Sequence, residues 1–417
     1  MRIALALTVV LSAALLAQSP PAARTAAAGS FDPARAAVID RALQRYIDTD
    51  RVAGIVALVM QDGQVVYEKA FGWADKEAGR RMTTDTIFRI ASQTKALTSV
   101  AIMQLIEEGL LTLNTRVSTL IPSFAQTAVA VTKDGAVANV PARRAITVRD
   151  LLTHTAGISY GTDPSVAAQY REKGLGPAAG FGWYTADKDE PVCDTMERLG
   201  TLPFVAQPGE SWVYGYNTDI LGCIVEKASG KSLDVYLRER VITPLAMKDT
   251  QFFLPAAQKD RLAAVYSSAE GKFARAPEGA RGQGHYVEGP RRNFAGGAGL
   301  LSTARDYARF LEALRRGGTL DGARILSPLS VKLMSTNQVG TLHSTTGLGF
   351  GLGFQTTDRF GANGMSHEGA FGWGGAYGTN YRVDPSARLV MTLMIQLIPN
   401  ATDIQQVFPS VVYQALR

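Results

Sequence analysis

The chain has 417 residues, 46% of them hydrophobic and 19% charged, with a formal net charge of +6. That is ample for a large core, in one big domain or two or three smaller ones. The positive charge is spread along the chain, and pairs such as Arg291-Arg292 and Arg315-Arg316 fit a solvated face better than a nucleic-acid stripe. Two cysteines are too few for a disulfide scaffold, and the four scattered histidines show no metal-ligand spacing.

Arg2 precedes an apolar run from Ile3 to Leu16, then small residues and Pro20-Pro21. This resembles a secretory signal peptide, residues 1–23, too short for a comfortable membrane span. It predicts a periplasmic or secreted protein without stable membrane insertion after cleavage. Residues 33–47 have helical spacing. Two β-rich runs, 54–60 and 65–70, flank Asp62-Gly63, a hairpin signal.

Ser92 and Lys95 then open an apolar run through Val100, Ile102, Met103, Leu105 and Ile106, stopped by Gly109. Residues three apart share one helix face, so the Lys95 amine can reach the Ser92 hydroxyl. A serine becomes a good nucleophile when a base takes its proton, and free N–H groups at a helix start can hold an oxyanion. Alone, Ser-x-x-Lys also arises by chance on surface helices.

Thr147 with Asp150 reads as a capped helix start. Residues 159–191 are rich in Gly and aromatics, including Tyr160, Tyr170, Phe181, Trp183 and Tyr184, as in a lid or a packed surface loop. Cys193 and Cys223 suit pairing in an oxidising compartment, although Cys223 also fits an apolar core pattern. Helices are expected in 212–230 and 302–314. Strands at 376–383 and 388–395 flank a turn, and a last helix covers 405–416. The pattern predicts an α+β fold: an antiparallel sheet built from both chain ends and flanked by helices, with a mostly helical lobe inserted. One domain over 33–417 is expected, its α/β part at about 33–90 and 296–417 and its helical lobe at about 91–295.

Several stretches together resemble the serine β-lactamase and penicillin-binding-protein superfamily, and within it the class C-related family VIII carboxylesterases. They are Phe88 to Leu97, Glu107 to Leu113, Leu151 to Gly157, Pro244 to Met247 and Gly296 to Thr303. The resemblance implies Ser92 as nucleophile and Lys95 as its base. It also implies a tyrosine from a Tyr-x-Asn-like motif. Tyr214 has the better spacing from Pro208-Gly209 and Leu221-Gly222, while Tyr216-Asn217 needs a shifted register. The third motif falls on His367-Glu368-Gly369-Ala370, with His367 where lactamases carry lysine; Trp373-Gly374-Gly375 is an alternative occupant. By the family pattern the N–H groups of Ser92 and Ala370 make the oxyanion hole, with His367, Gly369 and Trp373 lining the substrate site.

Gly157-Ile158-Ser159-Tyr160-Gly161 spells Gly-x-Ser-x-Gly but lacks the strand–turn–helix setting that the motif needs. The resemblance therefore implies an exported serine hydrolase cleaving carboxylic esters by a Ser-Lys-Tyr acyl-enzyme route, with a small-molecule ester or amide as substrate. No metal or organic cofactor is implied. β-Lactamase, D-amino-acid peptidase or transesterase activity of the same fold are alternatives, and a non-catalytic cell-wall-binding relative is a further one. Physiological substrate and oligomeric state are not encoded in any motif.

Overall fold

The computed structural model describes residues 29–177, 185–268, 273–280 and 282–417. The expected signal segment and Phe181, Trp183 and Tyr184 lie outside them. Among the described residues, an eight-stranded antiparallel sheet has both chain ends at its centre. Strand β1 (Gly54–Gln61) pairs with β2 (Gln64–Asp75) on one side. The Asp62-Gly63 turn joins them, both residues at positive φ (53° and 80°), as the sequence predicts for a hairpin. A short β3 (Arg80–Arg81) continues from β2 to one sheet edge. The other half comprises β4 (Leu348–Phe350), β5 (Gln355–Thr357), β6 (Phe371–Gly374), β7 (Asn380–Asp384) and β8 (Leu389–Met394). β8 lies against β1, pairing Val56 with Met394 and Gln61 with Leu389.

Every residue of β1 is buried. Alternate side chains leave a strand on opposite faces, so this one strand feeds two cores. Ile55, Ala57 and Val59 join the cluster under α1 (Ala36–Asp48) and the C-terminal helix at Ile404–Tyr413. Val56, Leu58 and Met60 join the larger cluster on the other face. That cluster contains the central helix α2 (Thr94–Glu107), buried from Thr94 to Leu105. A helix buried all round needs apolar residues on every side, and the run from Ala96 to Leu105 supplies them.

Around α2 lies the helical part: α3 (Val148–Leu152), α4 (Val192–Gly200) and α5 (Asn217–Ser229), with α6 (Ala304–Arg315) leading back to the sheet. The last helix is α7 (Ile404–Tyr413). The Thr147–Asp150 capping box is present, with both reciprocal hydrogen bonds. Gly230 ends α5 in the left-handed conformation at φ 70°. Cys193 of α4 and Cys223 of α5 form a disulfide.

Two boundaries differ from expectation. The helix expected from Trp212 begins at Asn217, so Trp212 to Tyr216 form the loop leading into it. The strand expected from Ala376 begins at Asn380. Residues 375–379 are instead the β6–β7 turn, closed by Gly375 N–H to Thr379 O (2.8 Å) and Gly378 N–H to Gly375 O (2.9 Å). Gly378 sits at φ 84°, open to glycine and strained for other residues, and this overrides the β-rich pattern around it.

Candidate active site

Ser92 lies in a 3-10 turn, Ala91–Gln93, at the head of α2. Ala91 before it has φ 42°, a conformation that costs a non-glycine residue roughly 1–3 kcal/mol and clusters at functional sites. Lys95, one turn on, is 3% exposed. Its Nζ is 3.2 Å from Ser92 Oγ, 2.9 Å from the Tyr160 hydroxyl and 2.8 Å from Gly297 O. Gly297 O can only accept, so one N–H is fixed on it. With the Tyr160 hydroxyl taking a second, a neutral amine would aim its lone pair at Ser92.

Asp219 of α5 supports this arrangement from behind. Its Oδ1 accepts the Gly297 N–H at 3.0 Å, so the same residue whose carbonyl holds Lys95 is held by Asp219. A Cβ on Gly297 would come within 2.5 Å of Asp219 Oδ2, so only glycine fits there. Burial pushes the Asp219 carboxyl up to about 6, against the opposing pull of Lys95 and of the Gly297 N–H.

Tyr214 comes from the loop before α5. Lys95 Nζ stands 4.7 Å from its ring centroid. Its hydroxyl oxygen accepts the Trp373 indole N–H at 3.1 Å. Indole N–H only donates, so the Tyr214 O–H proton remains free to be given elsewhere. Of the two tyrosines that the sequence offered, Tyr214 has its ring near the Lys95 amine, while the hydroxyl hydrogen-bonded to that amine belongs to Tyr160. Tyr216 is fully buried, and its hydroxyl accepts the Gly176 N–H at 2.8 Å.

His154 packs against Tyr214 with ring centroids 4.8 Å apart. Its Nδ1 accepts from Asn217 Nδ2 at 2.9 Å, which places the ring proton on Nε2. Full burial, then the charge of Lys95, hold its basicity well below the ordinary histidine range, so it is neutral here. Trp212, Phe350 and Trp373 complete an aromatic wall, with Trp212 stacked on Tyr214 at 5.7 Å.

The third motif is divided between its two candidates. Trp373 is at the site. The His367 imidazole is turned the other way, its Nδ1 2.9 Å from Asp384 Oδ2 and its ring against Tyr413 of α7. The Ala370 amide, expected in the oxyanion hole, donates to His367 O at 3.1 Å within the turn through Gly369 (φ 84°), and Ala370 is 1% exposed. The physical reason is the register of β6. Its far end, not its start, reaches the nucleophile turn. A Cβ on Gly375 would fall 2.4 Å from Ile90 O, and Ala376 packs against the small buried cluster that includes Ala91. Among the described residues, no acceptor engages the Ala376 N–H. The sequence signal that could have found it is the Gly374-Gly375 pair at the end of β6, since glycines at a strand end allow close backbone approach.

Tyr160 was expected only as part of a Gly- and aromatic-rich loop, yet its hydroxyl touches Lys95. Ser159 is 5% exposed, and its Oγ accepts the Gly161 N–H at 3.0 Å in a loop, so the Gly-x-Ser-x-Gly stretch has no elbow geometry.

The β-lactamase family model matches residues 39–408. Esterase EstB of Burkholderia gladioli is 32% identical over 373 residues, covering 86% of this chain and 88% of that protein. Lovastatin esterase of Penicillium rubens is 32% identical over 311 residues, covering 72% and 73%. The solved structure of EstCE1, a hydrolase with promiscuous acyltransferase activity, superposes with a TM-score of 0.77 at 27% identity, covering 91% of this chain and 98% of that one. By these matches the chain belongs to the β-lactamase and penicillin-binding-protein superfamily, close to its family VIII carboxylesterases, and is a serine hydrolase.

Proposed function

We propose that this chain hydrolyses carboxylic esters through an acyl-enzyme on Ser92, with Lys95 as base and Tyr214 as proton donor to the leaving alcohol. The single observation that carries the reading is the buried Lys95 amine 3.2 Å from the Ser92 hydroxyl. Lys95 Nζ takes the Ser92 proton as Oγ bonds to the ester carbonyl carbon. The N–H groups of Ser92 and Ala376 face the oxyanion that develops, each worth roughly 3–4 kcal/mol in such a role. The C–O bond to the alcohol then breaks. Tyr214 O–H supplies the alcohol's proton and regains one from Lys95, and the acyl group stays on Ser92. Water attacks next, giving its proton to Lys95. The acid departs and Ser92 recovers its hydrogen. An alcohol in place of water would give transesterification.

Esters are favoured over β-lactams and D-amino-acid peptides because both of those carry a carboxylate. The third motif offers the aromatic Trp373 at the site, while His367 is engaged with Asp384. A panel of p-nitrophenyl esters, a chromogenic cephalosporin and a D-Ala-D-Ala peptide tests this. Turnover of the esters alone is expected, with Ser92→Ala inactive and Ser159→Ala active. Preferred turnover of the cephalosporin or peptide would overturn the substrate class. Activity surviving in Ser92→Ala would overturn the mechanism. Export to the periplasm or medium is part of the same reading, supported by the Cys193–Cys223 disulfide, a bond that persists in oxidising compartments.

A further inference from the structure

A cavity of about 620 Å³ lies between the segment 234–253 and the loop that carries Arg291 and Phe294. None of Ser92, Lys95, Tyr160, Tyr214 or Trp373 lines it. One wall is aromatic. Phe252 meets Phe294 edge-on at 5.3 Å, and Phe253 meets the same ring at 6.1 Å. Phe252 is buried, while Phe253 and Phe294 are partly open to the cavity side. Apolar surface of this kind is favoured when covered.

The mouth is cationic. Arg238, Lys248 and Arg291 line it against one carboxylate, Asp234. Asp234 is paired with Arg238 at 3.6 Å. Of the carboxylates that follow in the chain, Glu239 is paired with Lys231 and Asp249 is held by Arg261 at 2.6 Å. Arg291 donates only to the neutral carbonyls of Leu254 (3.2 Å) and Val287 (2.6 Å). Lys248 has no ion pair or hydrogen bond among the described residues. Two positive charges beside an aromatic wall are thus left without a counter-charge.

We propose that this cavity is a second ligand site, separate from Ser92, for an amphipathic carboxylate: a small organic acid whose aromatic or branched hydrocarbon part packs on Phe252, Phe253 and Phe294 while its carboxylate meets Lys248 and Arg291. The size is in the range of small-molecule pockets. Unpaired cations beside an aromatic wall select an acid over the matching alcohol, because a charge-assisted contact is roughly twice as strong as a neutral one. This holds whether or not the substrate class proposed above is right.

Isothermal titration of the full chain with 4-phenylbutyrate, beside 4-phenylbutan-1-ol, tests the site. Saturable binding of the acid is expected, with the alcohol weaker by about tenfold or more. Ser92→Ala should retain the acid's binding. Lys248→Glu should weaken it by about tenfold or more, and so should Arg291→Gln. Lys248 is exposed and unpaired, so its variant keeps the fold intact. Phe253→Ser reports on the apolar wall in the same way. The proposal is overturned by no saturable binding at millimolar acid, by equal binding of acid and alcohol, or by binding that Lys248→Glu leaves unchanged.

Discussion

Asp219, behind Gly297, and His154, packed on Tyr214, give the folded protein opposite responses to acid. The Asp219 carboxyl rises from 3.8 to about 6 on folding. Between those values the folded state binds more protons than the unfolded one, so this residue lowers stability as pH rises from 4 to 6. His154 is held well below 6.5, so its contribution is present above 6.5 and is lost as pH falls below it. Two variants separate the effects. Asp219→Asn should make the melting temperature climb more steeply between pH 4 and 6, with a maximal effect of roughly 3 kcal/mol. His154→Gln should flatten the same climb. Thermal melts across that range check both, and a slope unchanged in either variant sinks the assignment for that residue. Among the residues named from sequence, Ser92, Lys95, Tyr214 and Trp373 come together. Ser92 and Lys95 are legible because they share one helical turn, whereas Tyr214 and Trp373 were reached through the family resemblance. Tyr160 and Asp219 were not legible, because they reach Lys95, directly or through Gly297, by tertiary packing that no local pattern encodes; Ala376 carried only the signal of the two glycines before it.

The elements that were easiest to read are those whose own sequence holds their caps and turns. The Asp62-Gly63 hairpin, the Thr147–Asp150 box and the Gly230 stop are all where the sequence puts them. Strand β6 was missed because Phe371-Gly372-Trp373-Gly374 has glycine at every second place, which lowers strand propensity. Those glycines serve approach rather than propensity. Gly375→Ala should therefore push β6 away from Ile90 O. Its ester-cleaving rate is expected to fall about a hundredfold, the lower range for loss of one oxyanion donor, with the far-UV circular dichroism little changed. A rate near that of the parent would show that the β6 end does not set the oxyanion geometry. At α3, Thr147→Ala removes one half of a reciprocal cap and should cost about 1 kcal/mol in urea unfolding.

Across the whole molecule, the layered plan was readable because strand-like runs stand at both ends of the chain and helical ones between them. The identity of neighbouring strands was not, since pairing partners such as Val56 and Met394 carry no mutual signal in a single sequence. The Cys193–Cys223 bond closes a loop with a sequence separation of 30 inside the helical part. Cys193→Ser with Cys223→Ser is expected to lower stability by about 3–4 kcal/mol in denaturant titration. A midpoint equal to the parent's would mean that packing between α4 and α5 holds this region without the cross-link.

Placing β1 beside β8 also fixes the order in which the molecule can be completed. A nascent chain that has delivered β1, β2 and the nucleophile turn still has a long apolar strand with one bare edge, and bare edges recruit other chains. That edge is satisfied only when residues 389–394 arrive. Synthesis stalled before Leu389 should therefore yield aggregates rather than a smaller enzyme.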